Sequence, residues 1–301
     1  METVLGKQGL VMQLDEKTPL VAIYMITYNH EEYIAQAVES VLMQKTDFYF
    51  HLFIGDDCST DSTTRICNKL QKTYPENITL YTNKKNLGAT KNALNIFNAC
   101  FNSKAKYIAM LEGDDYWTDS LKLQKQVDFL EAHPEYAICF HRANVLRDDS
   151  TSSLHQIPDS ANENVYEYKD LLKNGNFITT ASVVYRNPKG FSFPNWFTKT
   201  PFGDMALYHL LSKNKKIVCL DEVMSVYRIH SEGIYSKLSQ IQKQQNFLTF
   251  YKILYPHLTE ENKAVVTKKL KKKQKKLAKL KYPNSKLMRW WYMHFNKVLS
   301  D

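Results

Sequence analysis

The chain has 301 residues, of which 44% are hydrophobic and 24% charged, so it is long enough for one sizeable domain with an appendage and too apolar to be disordered. The net charge is +9, and the Lys268–Lys281 segment, with nine lysines and no acidic residue, accounts for the whole excess. The rest of the chain is balanced, which excludes a nucleic-acid-binding surface spread over the fold.

Targeting and redox features favour a cytoplasmic protein. The first 17 residues contain a lysine but no long apolar core and no cleavage pattern, so we expect no secretory signal. No run of about 18 apolar residues occurs, so no segment is expected to span a bilayer. The five cysteines lack metal-ligand spacing, and their odd number favours buried, reduced thiols.

After a polar tail at residues 1–18, apolar runs and amphipathic stretches alternate up to residue 140. The apolar runs are typical of strands buried on both faces, and the amphipathic stretches have the stripes of helices. This alternation predicts an α/β fold with a parallel, doubly wound sheet. The predicted strands are Leu20–Ile26, Phe48–Ile54, Ile78–Tyr81, Tyr107–Leu111 and Tyr136–Phe140.

Polar pairs stand at the carboxyl ends of three of these strands, where open α/β sheets bind ligands. They are Tyr28-Asn29, Asp56-Asp57 and Asp114-Asp115. One aspartate in such a place favours a helix cap, but two acidic pairs in one sheet favour a hard divalent cation with oxygen ligands. Such a cation, Mg²⁺ or Mn²⁺, would hold a phosphate-bearing ligand and neutralise its leaving charge.

Beyond residue 140 the pattern is less regular. We predict a loop at residues 147–165 and short mixed elements at 166–235. Residues 237–262 have the pattern of one helix, which leads into the lysine-rich segment.

Four motifs, taken in order, resemble glycosyltransferase family 2. They are Val21–Asn29, Ile54–Asp61, Asn86–Asn92 and Leu111–Asp115. The resemblance implies a GT-A fold, which is Rossmann-like with a mostly parallel central sheet flanked by helices. It implies a GT-A domain at residues 19–235, with a nucleotide-binding half at 19–118 and an acceptor half at 119–235. A helical basic C-terminal extension at 236–301 would follow.

The same resemblance implies which residues hold the donor nucleotide. Ile26, Tyr28 and Asp57 would hold the base, with Asp57 accepting a hydrogen bond from it. Lys91 stands where the family often has arginine, near the base and the phosphates. The alternative interpretation of Lys91 is a solvated lysine on a helix.

The Glu112–Asp115 run matches the DxD-type motif of the family. Asp115 would bind the metal, and Asp114 would bind the ribose or the metal. The family often has aspartate at position 112, so Glu112 departs from the pattern and its role stays open.

Two further residues follow from the resemblance in the second half of the chain. Asp204, in the Phe202–Asp204 run, would be the catalytic base, although sequence alone favours a helix N-cap at this position. His230, in the Tyr227–His230 run, would be a third metal ligand or a diphosphate contact. Three aromatic residues near these motifs suit either stacking on sugars or ordinary packing: Trp117, Trp196 and Phe197.

The predicted activity is therefore inverting transfer of a sugar from a nucleotide-sugar donor, with a UDP-sugar favoured, to a hydroxyl of a glycan or lipid-linked glycan acceptor. The lysine-rich segment interleaves leucines with lysines, and Trp290 and Trp291 follow it. A basic amphipathic helix near tryptophan suits an anionic membrane surface, so we expect a cytoplasmic protein that can be peripheral on the inner face of the cell membrane. A solvated lysine-rich helix is the alternative, and no nucleic-acid partner is expected.

Three other functions fit the sequence less well. A nucleotidyltransferase of related fold usually has a glycine-rich, basic loop after the first strand, where this chain has Thr27–His30. A nicotinamide dehydrogenase would need GxGxxG at that place, and the motif is absent. A non-catalytic membrane-associated scaffold also stays open, although Asp57, Asp115 and Asp204 are all present.

Overall fold

The computed structural model describes residues 18–160 and 162–295. The strands are β1 (Val21–Thr27), β2 (Phe50–Asp56), β3 (Ile78–Thr82), β4 (Tyr107–Glu112), β5 (Tyr116–Trp117), β6 (Tyr136–Arg147), β7 (Ser152–Leu154), β8 (Val165–Tyr166), β9 (Val184–Arg186) and β10 (Lys216–Ile229). The helices are α1 (Ile34–Leu42), α2 (Thr63–Thr73), α3 (Ala89–Asn102), α4 (Lys122–Ala132), α5 (Tyr168–Asn174), α6 (Gly203–Leu211), α7 (Gln240–Leu254), α8 (Glu260–Lys281) and α9 (Lys286–Phe295). The predicted leading tail lies almost wholly outside the described residues.

One mixed sheet forms the centre of the molecule, with the strand order β3-β2-β1-β4-β9-β6-β10-β5. Strand β7 pairs with β6, and β8 pairs with β10. The first four strands of this order are parallel, as are β6 and β10. The expected mostly parallel central sheet flanked by helices is therefore confirmed.

The alternation of side chains along β1 explains why its sequence is apolar throughout. Val21, Ile23 and Met25 are buried on one face with residues of α1, α2 and α4. Ala22 and Tyr24 are buried on the other face with residues of α3 and of α5 to α8. Both faces of the sheet are covered, which is the arrangement that continuous apolar strands favour.

The register of the parallel strands aligns the polar motifs. Ile26 of β1 lies opposite Gly55 of β2 on one side and Glu112 of β4 on the other. The segments that follow these three strands therefore leave the sheet side by side at one edge, as predicted from the sequence.

The short strand β9 lies antiparallel between β4 and β6, so the sheet is mostly and not wholly parallel. Two sequence predictions were wrong in part. The predicted loop at 147–165 includes β7 and begins β8. The single helix predicted at 237–262 is two helices separated by a 3₁₀ turn at Tyr255–His257, because Pro256 has no N–H group to continue an α-helix.

The C-terminal helices pack against the sheet domain. The predicted apolar stripe of α8 is buried, since Val266, Leu270 and Leu277 are at most 1% exposed and belong to the same core as Tyr24. All five cysteines are free thiols, and only Cys58 is partly exposed. Within residues 18–160 and 162–295, no helix combines the length and apolar character that crossing a bilayer requires.

Candidate active site at the carboxyl ends of the strands

An acidic cluster lies at the end of β4. One oxygen from each of Glu112, Asp114 and Asp115 lies within 4.8 Å of the others. The backbone between them passes close to β1, since the Gly113 N–H donates to the Ile26 carbonyl at 3.0 Å. A Cβ on Gly113 would lie 2.7 Å from the Thr27 hydroxyl, so this approach requires glycine.

Several buried polar atoms at this cluster have no hydrogen-bond partner in the described part of the chain. They include Asp114 Oδ1 and Asp115 Oδ2, and also Thr27 Oγ1 and His30 Nδ1. Buried carboxylate oxygens without partners are costly to a fold unless a ligand satisfies them. Hard oxygen donors grouped in this way fit Mg²⁺ or Mn²⁺, so the residues present match the predicted divalent metal.

Two histidines approach the other oxygen of Asp114. His230 Nε2 lies 3.0 Å from Asp114 Oδ2, and His30 Nε2 lies 3.8 Å from the same atom. The hydrogen bond to Asp114 raises the pKa of His230, whereas burial lowers the pKa of His30. His230 therefore lies beside the acidic motif, and His30 is a second neighbour that the sequence analysis did not assign to the site.

Arg228 connects the acidic motif to the end of β10. Its backbone N–H donates to Asp115 Oδ1 at 2.8 Å, and its guanidinium donates to the Asp114 carbonyl at 2.6 Å. The guanidinium also bonds to the Gln36 side chain and lies 4.4 Å from the ring centre of Tyr116. These contacts hold the acidic loop in one position, since a guanidinium fork fixes its partners in both distance and direction.

The carboxylates of the cluster perturb one another strongly. Burial and the charges of Asp114 and Asp204 raise the pKa of Glu112 to about 8. Burial, with the charges of Asp114 and Glu112, also raises the pKa of Asp115 well above its usual value. Burial opposes ionisation of Asp114 too, but the hydrogen bond from His230 and the charges of both histidines outweigh it, so the pKa of Asp114 falls. Such mutual repulsion is what a bound cation relieves.

Asp204 lies in the first turn of α6, and its charge contributes to the raised pKa of Glu112. Its Oδ2 accepts a hydrogen bond of 2.6 Å from Asn176 Nδ2, and burial raises its pKa. The helix N-cap is Phe202, so the sequence-based N-cap interpretation of Asp204 was wrong. Burial raises the pKa of Tyr227, and the charges of Glu112, Asp115, Asp114 and Asp204 raise it further.

Asp57 holds the turn that precedes α3. Its Oδ1 accepts from Asn83 Nδ2 at 2.9 Å and from the Leu87 N–H at 2.8 Å, and its Oδ2 accepts from the Gly88 N–H at 2.8 Å. A carboxylate has about four acceptor positions, so three internal hydrogen bonds leave room for one more donor.

The neighbouring Asp56 has a different role. It is fully buried, and its two oxygens accept hydrogen bonds of 2.5 Å from the Ser59 and Thr64 hydroxyls. These bonds shape the turn into α2, and they engage both oxygens of the carboxylate. Asp56 is therefore a structural residue, which is the simpler of the two interpretations that a strand-end aspartate allows.

The remaining predicted nucleotide contacts lie around Asp57. Ile26 is partly buried at the end of β1, and Tyr28 is 42% exposed in the turn that follows. Lys91 is exposed on the first turn of α3, after the segment that Asp57 binds. These residues border the same edge of the sheet as the acidic cluster.

The flanking aromatic residues serve mainly in packing. Trp117 and Phe197 are each 1% exposed, and the Trp117 indole N–H donates to the Ala181 carbonyl at 2.8 Å. Trp196 is partly exposed and stacks on His257 with 5.4 Å between ring centres.

Sequence reasoning missed the contacts of His30, Asn176 and Arg228. Arg228 belongs to a motif that was recognised, and that motif is the only signal that singled it out. His30 contacts Asp114, 84 positions away in the chain, and Asn176 contacts Asp204, 28 positions away. Nothing in the local sequence of His30 or Asn176 indicates these contacts.

Comparison with known proteins identifies the family of this chain. Residues 22–195 match the family described as Glycosyl transferase family 2. An uncharacterized protein of Mycobacterium tuberculosis is 36% identical over 214 residues, which are 71% of this chain and 60% of that protein. The chain thus spans about 60% of the length of such mycobacterial relatives. The Escherichia coli protein WfaP is named a UDP-Glc:alpha-D-GlcNAc-diphosphoundecaprenol beta-1,3-glucosyltransferase. It is 30% identical over 232 residues, or 76% of this chain and 85% of WfaP.

Solved structures show the same fold. Residues 1–349 of TarS from S. aureus, in complex with UDP-GlcNAc, give a TM-score of 0.63 at 17% identity, with 90% of this chain and 78% of that chain covered. The mannosyltransferase PcManGT from Pyrobaculum calidifontis, in complex with GDP-Man and Mn²⁺, gives a TM-score of 0.59 at 13% identity, with 96% and 83% covered.

Proposed function

The chain belongs to glycosyl transferase family 2, and from that premise we propose that it transfers a sugar from a nucleotide-sugar donor to a hydroxyl of a glycan or lipid-linked glycan. Transfer proceeds by a single displacement that inverts the anomeric configuration. The observation that carries the proposal is the pair of buried oxygens, Asp114 Oδ1 and Asp115 Oδ2, that have no hydrogen-bond partner among the described residues. A metal-diphosphate leaving group and a base on opposite sides of a sugar are what such a displacement needs.

The acidic cluster is the proposed metal site. Asp115 and Asp114 would hold Mn²⁺ or Mg²⁺ through their unpartnered oxygens, and Glu112 is close enough to supply a third. When bound, the cation neutralises charge on the leaving diphosphate. His230 is bonded to Asp114, so a direct bond from His230 Nε2 to the metal would require that hydrogen bond to open.

The donor nucleotide is proposed to lie against Ile26, Tyr28, Asp57 and Lys91. The remaining acceptor position of Asp57 is available to an N–H of the base, and Lys91 adds positive charge near the phosphates. A UDP-sugar is favoured, because WfaP is named for UDP-Glc and the TarS structure holds UDP-GlcNAc. The GDP-Man in PcManGT makes the choice of nucleotide a matter for experiment.

Asp204 is the proposed base. Its Oδ2 is engaged by Asn176, which leaves Oδ1 to receive the proton of the acceptor hydroxyl. The acceptor oxygen then forms a bond to the anomeric carbon, and the bond from that carbon to the diphosphate oxygen breaks, with its electron pair leaving on the diphosphate. Burial raises the pKa of Asp204, and this makes it a stronger base for the proton transfer.

The acceptor is proposed to be membrane-linked. WfaP is named for a diphosphoundecaprenol acceptor, which is a lipid. A lipid-linked acceptor would place the protein at the inner face of the cell membrane, where nucleotide sugars are available.

A donor panel with a base variant tests the proposal. We expect one of UDP, GDP, CDP or dTDP, with Mn²⁺, to raise the thermal unfolding midpoint, and the matching nucleotide sugar to support transfer. Asp204→Asn should lower the transfer rate by about 10²–10⁴-fold and keep nucleotide binding. Asp128→Asn, an exposed change on α4, is the matched control and should transfer normally.

Other outcomes have distinct meanings. Normal transfer by Asp204→Asn would refute the base assignment. No thermal response to any of the four nucleotides would favour a non-catalytic scaffold over a transferase.

A further inference from the structure

Helix α8 presents a continuous stripe of positive charge. Its buried residues recur every three or four positions and fix the helix against the core through Val266, Leu270 and Leu277. The exposed lysines recur at the same spacing on the side away from that core, with no acidic residue among them: Lys268, Lys271, Lys272, Lys275, Lys276 and Lys279. Like charges at this spacing repel one another, so the stripe is stabilised when an anionic partner neutralises it.

Helix α9 follows directly and presents the opposite kind of surface. Leu287 is 74% exposed, Trp290 56% and Met288 41%. The helix is attached to the body by Tyr292, whose ring lies 5.9 Å from the Tyr282 ring. Leu287 and Trp290 are three positions apart, so they share one face of the helix. An exposed face with tryptophan and large aliphatic side chains is typical of contact with a partner or a membrane interface.

We propose that the lysine stripe of α8 and the apolar face of α9 together form a docking surface for an anionic phospholipid bilayer. The lysines bind headgroup phosphates, and Leu287 and Trp290 enter the boundary between headgroups and acyl chains. With ten residues, α9 is roughly 15 Å long, which is half of the roughly 30 Å hydrocarbon core, so it lies in the interface and does not cross it.

Two other occupants fit the surface less well. A nucleic acid would neutralise the lysines, but it offers no apolar phase to the exposed face of α9. A second copy of the chain in a two-fold contact would bring the lysine stripe close to its own symmetry mate, and the like charges would oppose association. Only a bilayer supplies anionic and apolar partners at adjacent depths.

Docking on a bilayer would bring the protein to the proposed lipid-linked acceptor, so the biological role of this surface rests on the proposed function. Helix α8 shares a hydrophobic core with the sheet domain. Docking through α8 would therefore hold the sheet edge that carries the acidic cluster at a fixed height above the membrane. Vesicle binding itself needs no catalysis, so the two proposals can fail separately.

Co-sedimentation of the full chain with vesicles tests the proposal. We expect binding to vesicles of phosphatidylcholine with phosphatidylglycerol, weak binding to phosphatidylcholine alone, and release by high salt. Each lysine at a membrane surface contributes roughly fivefold to affinity. A variant with Lys271, Lys272, Lys275 and Lys276 changed to Gln should therefore bind at least about a hundredfold more weakly.

Matched controls separate this surface from general charge. A control variant alters the net charge equally by changing four exposed lysines elsewhere to Gln: Lys45, Lys69, Lys72 and Lys213. Its affinity for vesicles should stay within a few-fold of that of the unmodified chain. A second variant, Leu287→Ser with Trp290→Ser, should weaken binding and keep its response to salt. Unchanged thermal midpoints and unchanged transfer to a soluble acceptor would show that the variants are folded.

The proposal is overturned if both four-lysine variants lose binding equally, or if binding is the same to neutral and anionic vesicles. Retention of a DNA duplex without vesicle binding would assign the stripe to nucleic acid. A change of sedimentation coefficient on substitution of Leu287 and Trp290, without any change in vesicle binding, would assign α9 to a contact between copies. Vesicle binding without sugar transfer would leave the surface intact and refute the proposed activity.

Discussion

His209 should make the protein sensitive to mild acid, and its replacement should remove that sensitivity. His209 is 2% exposed on α6, and neither ring nitrogen has a hydrogen-bond partner within the described residues. Burial, together with the charge of Lys269, lowers its pKa to about 3, whereas an unfolded histidine has a pKa of about 6.5. Below pH 6.5 the unfolded chain takes up a proton that the folded chain refuses. The stabilisation is therefore complete above pH 6.5 and is lost as pH falls towards 3.

The size of the effect follows from the two pKa values. Between pH 7 and pH 5 the free energy of unfolding should fall by about 2 kcal/mol through His209 alone. His209→Phe removes the titrating group and two unpaired nitrogens, in a site that already contacts the Tyr168 and Phe250 rings. The variant should be at least as stable as the unmodified protein at pH 7, and its loss of stability on acidification should be about 2 kcal/mol smaller.

Urea unfolding at pH 7 and pH 5 measures this difference. His133→Phe is the matched control, because it makes the same substitution at an exposed histidine. If His209→Phe lost as much stability between the two pH values as the unmodified protein, then protonation of His209 would not be the cause, and the reasoning from burial would be refuted.

Three further predictions concern the candidate active site. Excess chelator should abolish transfer and Mn²⁺ should restore it, and full activity in chelator would rule out an essential metal at Asp115. Arg228→Lys should raise the Mn²⁺ concentration for half-maximal activity by at least about tenfold, because a lysine cannot reproduce the guanidinium fork that holds the Asp114 carbonyl and Gln36. The affinity for UDP, measured in metal-free titrations, should change little. Asp57→Asn should weaken UDP binding and lower the free energy of unfolding by about 1–3 kcal/mol, since the partly buried hydrogen bonds from the Leu87 and Gly88 N–H groups lose a charged acceptor. Unchanged urea midpoints would contradict this.

The structure places the Glu112 carboxylate in the acidic cluster, which the sequence motif alone left open. The sequence showed only that glutamate stands where the family often has aspartate. In the structure, Glu112 lies with Asp114 and Asp115 within a group that could hold one cation, and its pKa of about 8 reflects burial and the charges around it. The extra methylene of glutamate does not remove the carboxylate from the cluster.

Local sequence was sufficient to predict the architecture around the site. Apolar runs such as Val21–Thr27 are buried on both faces only in a covered, mainly parallel sheet, so their alternation with helices predicted the fold. Because the strand register places Ile26 beside Gly55 and Glu112, the polar residues after each strand had to meet at one edge. Hydrophobic periodicity was also enough to identify the buried stripe of α8.

Only the tertiary structure decided which strand-end carboxylates have both oxygens hydrogen-bonded within the protein and which have an oxygen available to a ligand. Both oxygens of Asp56 accept hydrogen bonds from the nearby Ser59 and Thr64 hydroxyls, whereas Asp114 and Asp115 each have one buried oxygen without a partner among the described residues. The other oxygen of Asp115 accepts from the backbone N–H of Arg228, which lies 113 positions away in the chain. Periodicity and propensity describe near neighbours, and the partners that complete this site are brought together only when the sheet closes.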